Sequence, residues 1–232
     1  KHYTEMGRLI MDRFKNIEKF FFLTTIIVSC LFITLLTVIK LPDWWSYIIL
    51  ESSPMTWFES VLLFACAVFA WLNAMFTYLQ NEKKPFVLWG LLGIFFIGLS
   101  LDERFAIHER IRTLFLAPQD IKNPLFFWTD AGDFVLITVL LIALLFLPVY
   151  LKIFKERKSS LILFLVGLGF SVLAIVMDSI HVKGYSMEFQ RLEQYVEEVL
   201  ETFAMLFFLN SLFLMFTHLV KQYAIIKKKT LS

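Results

Sequence analysis

Two cysteines and eight glycines among 232 residues leave little room for several common chemistries. No Cys-rich zinc pattern can form, no glycine-rich phosphate loop is present, and no serine sits in a nucleophile elbow. Cys30 and Cys66 both fall inside apolar runs and are expected as buried free thiols that pack as small hydrophobes, not as a redox pair. No lysine lies in the middle of an apolar run, which excludes a retinal Schiff base. No stretch is long and polar enough for a soluble domain. The net charge of +2 is small and gives no ground for a nucleic-acid partner.

What the chain does have is grease. Hydrophobic residues make up 59% of it, aromatic residues 17%, and the mean hydropathy is +0.72. Runs of about 20 apolar residues recur, the length needed to cross a bilayer. In lipid the backbone must satisfy its own hydrogen bonds, so these runs are expected as helices. The fold class is all-α: a single membrane bundle of six spans, at about 20–39, 56–79, 85–108, 130–153, 160–181 and 191–223. The first is too long in its apolar core, and lacks the small-residue site, for a cleavable signal peptide. The many phenylalanines read most simply as lipid-facing bulk.

The charges divide by side. Lys1, Arg8, Arg13, Lys15 and Lys19 share one side with Lys83, Lys84, Lys152, Lys155, Arg157, Lys158, Lys221, Lys227, Lys228 and Lys229, which is fifteen of the 22 Lys and Arg. The positive-inside rule places that side, and both termini, in the cytoplasm. A bacterial inner membrane is the simplest home, since no eukaryotic targeting signal is visible. Trp44, Trp45, Trp57 and Trp128 then belong to the outer interfacial belt, and Trp71 and Trp89 nearer the inner one. The acids do the opposite: apart from Glu5, Asp12, Glu18, Glu82 and Glu156, all of the 20 Asp and Glu lie on the outer side. Carboxylates at the edge of hydrocarbon are costly to ionise, so this concentration points to a function.

Four span ends deliver the candidates. At the end of the third span, Ser100-Leu-Asp-Glu-Arg-Phe-Ala-Ile-His-Glu-Arg is expected to continue the helix. Asp102 and Glu109 would share one face, Arg104 and His108 another, and Glu103 would point a third way. Asp102 with either His108 or Glu109 is a candidate ligand set; the plain alternative is a solvated helix end with a pair such as Glu109–Arg112. Asp178 and His181, three apart at the end of the fifth span, can bind one ion, in the manner of carboxylate-x-x-His half-sites in di-metal bundles. The alternative is an interfacial histidine bonded to its neighbour. Glu193, Glu197, Glu198 and Glu201 open the sixth span. The helix dipole favours acids in its first turn but does not account for Glu201, which already has Phe203 and Met205 behind it. Glu59 follows Pro54, and Thr56 with Glu59 reads equally as a capping box. Thr129, Asp130 and Asp133 read mainly as a further cap.

Gly90, Gly93 and Gly98 stripe the third span, and Gly167 and Gly169 the fifth. Small residues allow close helix packing in lipid, which would draw Asp102 and Asp178 together.

Ser100-Leu101-Asp102-Glu103 resembles the Leu-Asp-Glu stretch of alkaline-ceramidase-like intramembrane hydrolases, the CREST superfamily. That resemblance implies a small helical bundle with a metal near one face. Asp102 and Ser100 would be active-site groups, and His108 or His181 zinc ligands. It covers about a dozen residues. The chain departs from the family in having six apparent spans where the family has seven, and glutamates in place of a late His-x-x-x-His. The same run is also similar to stretches of bacterial membrane proteins of unknown function.

The first expectation is therefore a metal-dependent membrane enzyme at the outer face. Its metal ligands would come from Glu59, Asp102, His108, Glu109, Asp178, His181 and Glu201, with Asp102, Glu198 and Ser100 in catalytic roles. Oxygen ligands with two nitrogens suit zinc or iron, with manganese or calcium as further choices, over copper(I). The metal would activate water against a lipid or lipid-linked substrate entering from the bilayer. A di-iron oxidoreductase, a cation transporter or sensor, and a structural subunit that binds a partner are the alternatives. Transport ranks lower, because below the acids only Asn73, Asn210, Ser171, Ser211 and scattered threonines could continue a polar path.

Overall fold

The computed structural model describes residues 2–50, 52–126, 134–178 and 184–230, with the side chains of 2–11, 126 and 226–230 excepted. Trp128, Thr129, Asp130, Asp133 and His181 lie outside the described residues. The described chain is helical: α1 (His2–Ile39), α2 (Pro54–Leu79), α3 (Lys83–Phe105), the short α4 (Ile107–Ile111), α5 (Phe134–Phe154), α6 (Lys158–Asp178) and α7 (Met187–Thr230). Six of these are long and apolar enough to cross a membrane. The sequence expectation of six spans holds, with shifted ends.

Helices α2 and α7 form the centre. Cys66 Sγ lies 3.7 Å from the Met205 carbonyl. Asn73 Nδ2 donates to the Leu212 carbonyl at 3.2 Å, and Gln80 Nε2 to the Leu219 carbonyl at 3.2 Å. All three pairs share one sequence offset, 139, so the two helices run parallel in a fixed register. The contacts recur every seven residues, the repeat that keeps one seam facing its partner along a left-handed pair. The buried core sits along this seam, with Leu62, Leu63, Ala67 and Ala70 against Leu206, Leu209 and Met215.

Each central helix carries an antiparallel neighbour. α3 folds back on α2 through a tight turn at Gln80–Glu82, and α6 runs antiparallel to α7. A reciprocal pair of serines clasps each. Ser60 and Ser100 donate to one another's carbonyls at 2.9 and 2.8 Å, and Ser160 and Ser211 do the same at 2.7 Å each. Exchanged hydroxyl bonds of this kind satisfy polar groups inside a bundle and let the backbones approach. α1 leans on α7, and α5 reaches the rest through Tyr150, which donates to the Leu88 carbonyl at 3.1 Å, and through Phe154.

Four packing expectations are corrected. The glycine stripes do not bring α3 onto α6. A Cβ on Gly93 would collide with the Trp71 ring of α2, and one on Gly167 would stand 3.0 Å from the Ala204 carbonyl and Phe208 of α7. The close approaches are thus α3 on α2 and α6 on α7. Many phenylalanines are seam residues and not lipid-facing bulk: Phe21 stacks on Phe213 at 3.9 Å, and Phe154 on Phe164 at 4.3 Å. Trp89 is fully buried against Phe154, so it serves the core and not a belt. Cys66 is buried as expected, but Cys30 points outward from α1.

At the end of the bundle that holds both chain termini, Glu18 of α1 is buried and tied to three groups. Arg157 reaches it at 2.5 and 3.1 Å, Lys221 at 2.9 Å and the Thr217 hydroxyl at 2.7 Å. This cluster fixes the start of α1 beside the end of α7.

Gly167→Leu is expected to lose about 1–3 kcal/mol of stability through overpacking, whereas Gly169→Leu, with open space around its Cβ, should stay within about 0.5 kcal/mol. Thermal unfolding in detergent micelles measures both.

Candidate metal centre

The start of α2 is capped by Ser53, whose side-chain oxygen accepts from the backbone N–H of Met55 at 3.1 Å and of Thr56 at 3.3 Å. Thr56 donates its hydroxyl to the Ser53 carbonyl. The expected Thr56–Glu59 capping box is therefore not formed, and Glu59 is released from any role at the helix end. It turns into the bundle and is 0% exposed.

The α2–α7 register carries one rung further. Glu59 and Glu198 share the offset that relates Cys66 to Met205, and they meet at the same seam. Glu201 lies about one turn beyond. One carboxylate oxygen each from Glu59, Glu198 and Glu201 fall within 4.8 Å of one another. Thr202 donates its hydroxyl to Glu59 Oε1 at 2.6 Å. Glu59 Oε2 is buried and finds no donor among the described residues. The charge of Glu103 on α3 bears on Glu59 together with those of Glu198 and Glu201, and carboxylates so close repel unless a proton or a cation lies between them. The inner set is thus four glutamates from three helices.

A second tier of groups surrounds it. Helix α3 does not continue through the Ser100–Arg110 segment as the sequence suggested. It stops at Ala106, which takes the left-handed conformation (φ 46°, ψ 49°), and α4 starts anew. Asp102 closes the break: its Oδ1 accepts the His108 backbone N–H at 2.7 Å, and its Oδ2 meets His108 Nδ1 at 2.8 Å. One carboxylate thereby caps the first turn of α4, whose N–H groups would otherwise be orphaned, and orients the imidazole. His108 thus pairs with Asp102, not with Arg104. Burial alone would depress the His108 imidazole, but the Asp102 bond and the charges of Glu109 and Asp178 outweigh it and raise it above the ordinary range.

Asp178, at the end of α6, acts electrostatically on Glu197, Glu198, Glu201 and His108. The structure thus brings Glu59, Asp102, His108, Asp178, Glu198 and Glu201 to one region. Glu109 lies at its margin, with one oxygen 3.9 Å from Arg112, the pairing foreseen as the plain alternative. Ser100 is placed between α2 and α3, its hydroxyl engaged with Ser60. Glu103, expected to point away, is the residue that sequence reasoning missed. A signal was available: Glu59 and Glu103 are equidistant in sequence from Asn81, the centre of the α2–α3 turn, so an antiparallel hairpin sets them opposite each other.

Chemically, three carboxylate oxygens within 4.8 Å of one another are an oxygen donor set of the kind that suits a hard divalent ion. Asp102–His108 is a carboxylate–imidazole pair of the kind that orients a ligand or a proton carrier. Asp102→Ala is expected to cost about 1 kcal/mol through the lost cap. Ala106→Gly should be neutral or stabilise by up to about 1 kcal/mol, since glycine takes the left-handed conformation freely. Thermal unfolding of the two variants checks both.

No curated protein matches the chain, and neither does any solved structure. A family model, described as a domain of unknown function (DUF8692), matches residues 20–216, and the chain belongs to that family.

Proposed function

We propose that this protein is a divalent-metal-dependent membrane enzyme, with its centre at the end of the bundle away from the chain termini. The observation that carries the reading is Glu59: a fully buried carboxylate with one oxygen lacking a donor, aimed at Glu198 and Glu201. Acids held this close in a water-poor bundle repel one another strongly, and a cation removes the repulsion. Glu59, Glu103, Glu198 and Glu201 would hold the ion. The all-oxygen set favours iron, manganese, zinc or calcium. Lysine and arginine asymmetry supports an outward, periplasmic-facing centre in a bacterial inner membrane.

The reaction we favour is hydrolysis of a lipid or lipid-linked substrate. A bound metal ion lowers the pKa of a coordinated water. A neighbouring carboxylate of the cluster would accept the proton that this water gives up as it adds to the scissile carbonyl or phosphoryl group. His108, held by Asp102, would give its proton to the leaving group as that bond breaks, and the proton taken by the carboxylate would then restore the imidazolium. The Asp102 stretch and its likeness to the intramembrane hydrolases support this choice. The polar groups below the centre favour it over transport: the amides of Asn73 and Asn210 are bound to Leu212, Thr25 and Leu206. A second reading, a di-metal oxidoreductase, draws on the same set of glutamates from several helices, the arrangement used in di-iron bundles.

Elemental analysis of purified protein is expected to give at least one divalent ion per chain. Glu59→Gln and Glu201→Gln should lose it, and Glu188→Gln should keep it. A chelator should lower the melting midpoint of the wild type and leave that of Glu201→Gln unmoved; a ligand present at 100 times its Kd stabilises by about 2.7 kcal/mol. Absence of metal from the wild type sinks the proposal. Mass spectrometry of lipid extracts incubated with the protein then separates gain of water from loss of hydrogen or gain of oxygen.

A further inference from the structure

At the opposite end of the bundle, α1 and α6 both rest on α7 without packing extensively on each other. The space between them is a cavity of about 440 Å³. Its lining is ordered along the helix axes. Lys15, Lys19, Arg157 and Ser159 are at the mouth. Phe22 of α1 and Ile162 and Leu163 of α6 follow, each about a turn further along its own helix, with Leu214 of α7 across from them. Asn210 is at the bottom, with its amide bonded to Thr25 and the Leu206 carbonyl.

The charge at the mouth is unbalanced. Glu18 is the one carboxylate of the lining, and it is already bound by Arg157, Lys221 and Thr217. Among the described residues, Lys15 has a loose contact with Asp12 at 3.9 Å, both side chains being about 70% exposed. Lys15 and Lys19 are one turn apart on α1, beside the apolar part of the lining. An anion with an apolar tail fits this order: negative charge on the lysines and the Ser159 hydroxyl, chain along the phenylalanine and aliphatic wall.

We infer that this cavity binds an anionic phospholipid, its phosphate between Lys15, Lys19 and Ser159 and an acyl chain between α1 and α6. The Glu18–Arg157 pair ties α1 to the start of α6 beside the mouth. This site is separate from the metal centre and does not depend on the proposed reaction.

The test uses delipidated, purified protein in a neutral detergent, titrated with short-chain phosphatidylglycerol, phosphatidylcholine of equal chain length, and inorganic phosphate. Native mass spectra and thermal unfolding are the readouts. Phosphatidylglycerol is expected to be retained as one bound lipid and to raise the melting midpoint; the other two should do neither. The double variant K15Q/K19Q should bind it about 10- to 30-fold more weakly, and K15R/K19R should keep it. Ile162→Trp, which fills the apolar part without touching a charge, should weaken it as well. Equal binding of phosphatidylcholine, a full effect from phosphate alone, or unchanged affinity in K15Q/K19Q and Ile162→Trp would each overturn the proposal.

Discussion

The parallel contact between α2 and α7 sets the rest of the structure. Its rungs, Cys66–Met205, Asn73–Leu212 and Gln80–Leu219, repeat at one offset. Within an apolar bundle there is little hydrophobic preference for one register over another, because lipid is as greasy as leucine. Amide donors that must find a carbonyl supply that preference. Asn73 and Gln80 each reach across to α7, and a slip of one residue would strand both. The register fixed there places Glu59 opposite Glu198, so polar bonds in the lower half of the seam determine which acids meet in the upper half.

The upper half is correspondingly costly. Glu59 has the Thr202 hydroxyl as its donor, and little else offsets its burial. The Ser60–Ser100 clasp and the Gly167 contact lie close to the acids and fasten α3 to α2 and α6 to α7, while the Ser160–Ser211 clasp secures α6 to α7 at the other end. Tight packing beneath the acids is what allows them to be held so close. The lower end of the bundle shows the reverse arrangement: Glu18 is surrounded by Arg157, Lys221 and Thr217, and its charge is fully answered by the protein itself. The two ends therefore differ in whether the chain carries its own counter-charge.

Much of this was legible in the residues. Run lengths gave six spans, and alternation along the chain brought four span ends to one side. That alone gathered Glu59, Asp102, Asp178, Glu198 and Glu201. What the sequence did not show was local. Ala106 has no side-chain feature that marks a left-handed break, and the helix ends there because Asp102 can cap α4 from a turn away. The periodic reading therefore sent Glu103 and His108 to the wrong faces. Ser53 and Thr56 both suit a helix start, and only geometry shows that Ser53 takes the role. Gly93 and Gly167 were rightly read as close approaches, but partner choice between helices of similar composition is settled by turns and clasps.

The pairing of α2 with α3 and of α6 with α7 has a consequence for how the protein is made. Each pair is a local hairpin, and its clasp can close as soon as its own two helices have left the ribosome and entered the bilayer. The parallel seam cannot, because α7 follows α2 by four further helices in the chain. Until then Glu59 and Glu103 wait on one hairpin and Glu198 and Glu201 belong to another, each set free to stay hydrated at the membrane edge. Biogenesis therefore defers the electrostatic conflict to the docking of the two hairpins, and the four acids do not meet before α7 is in place.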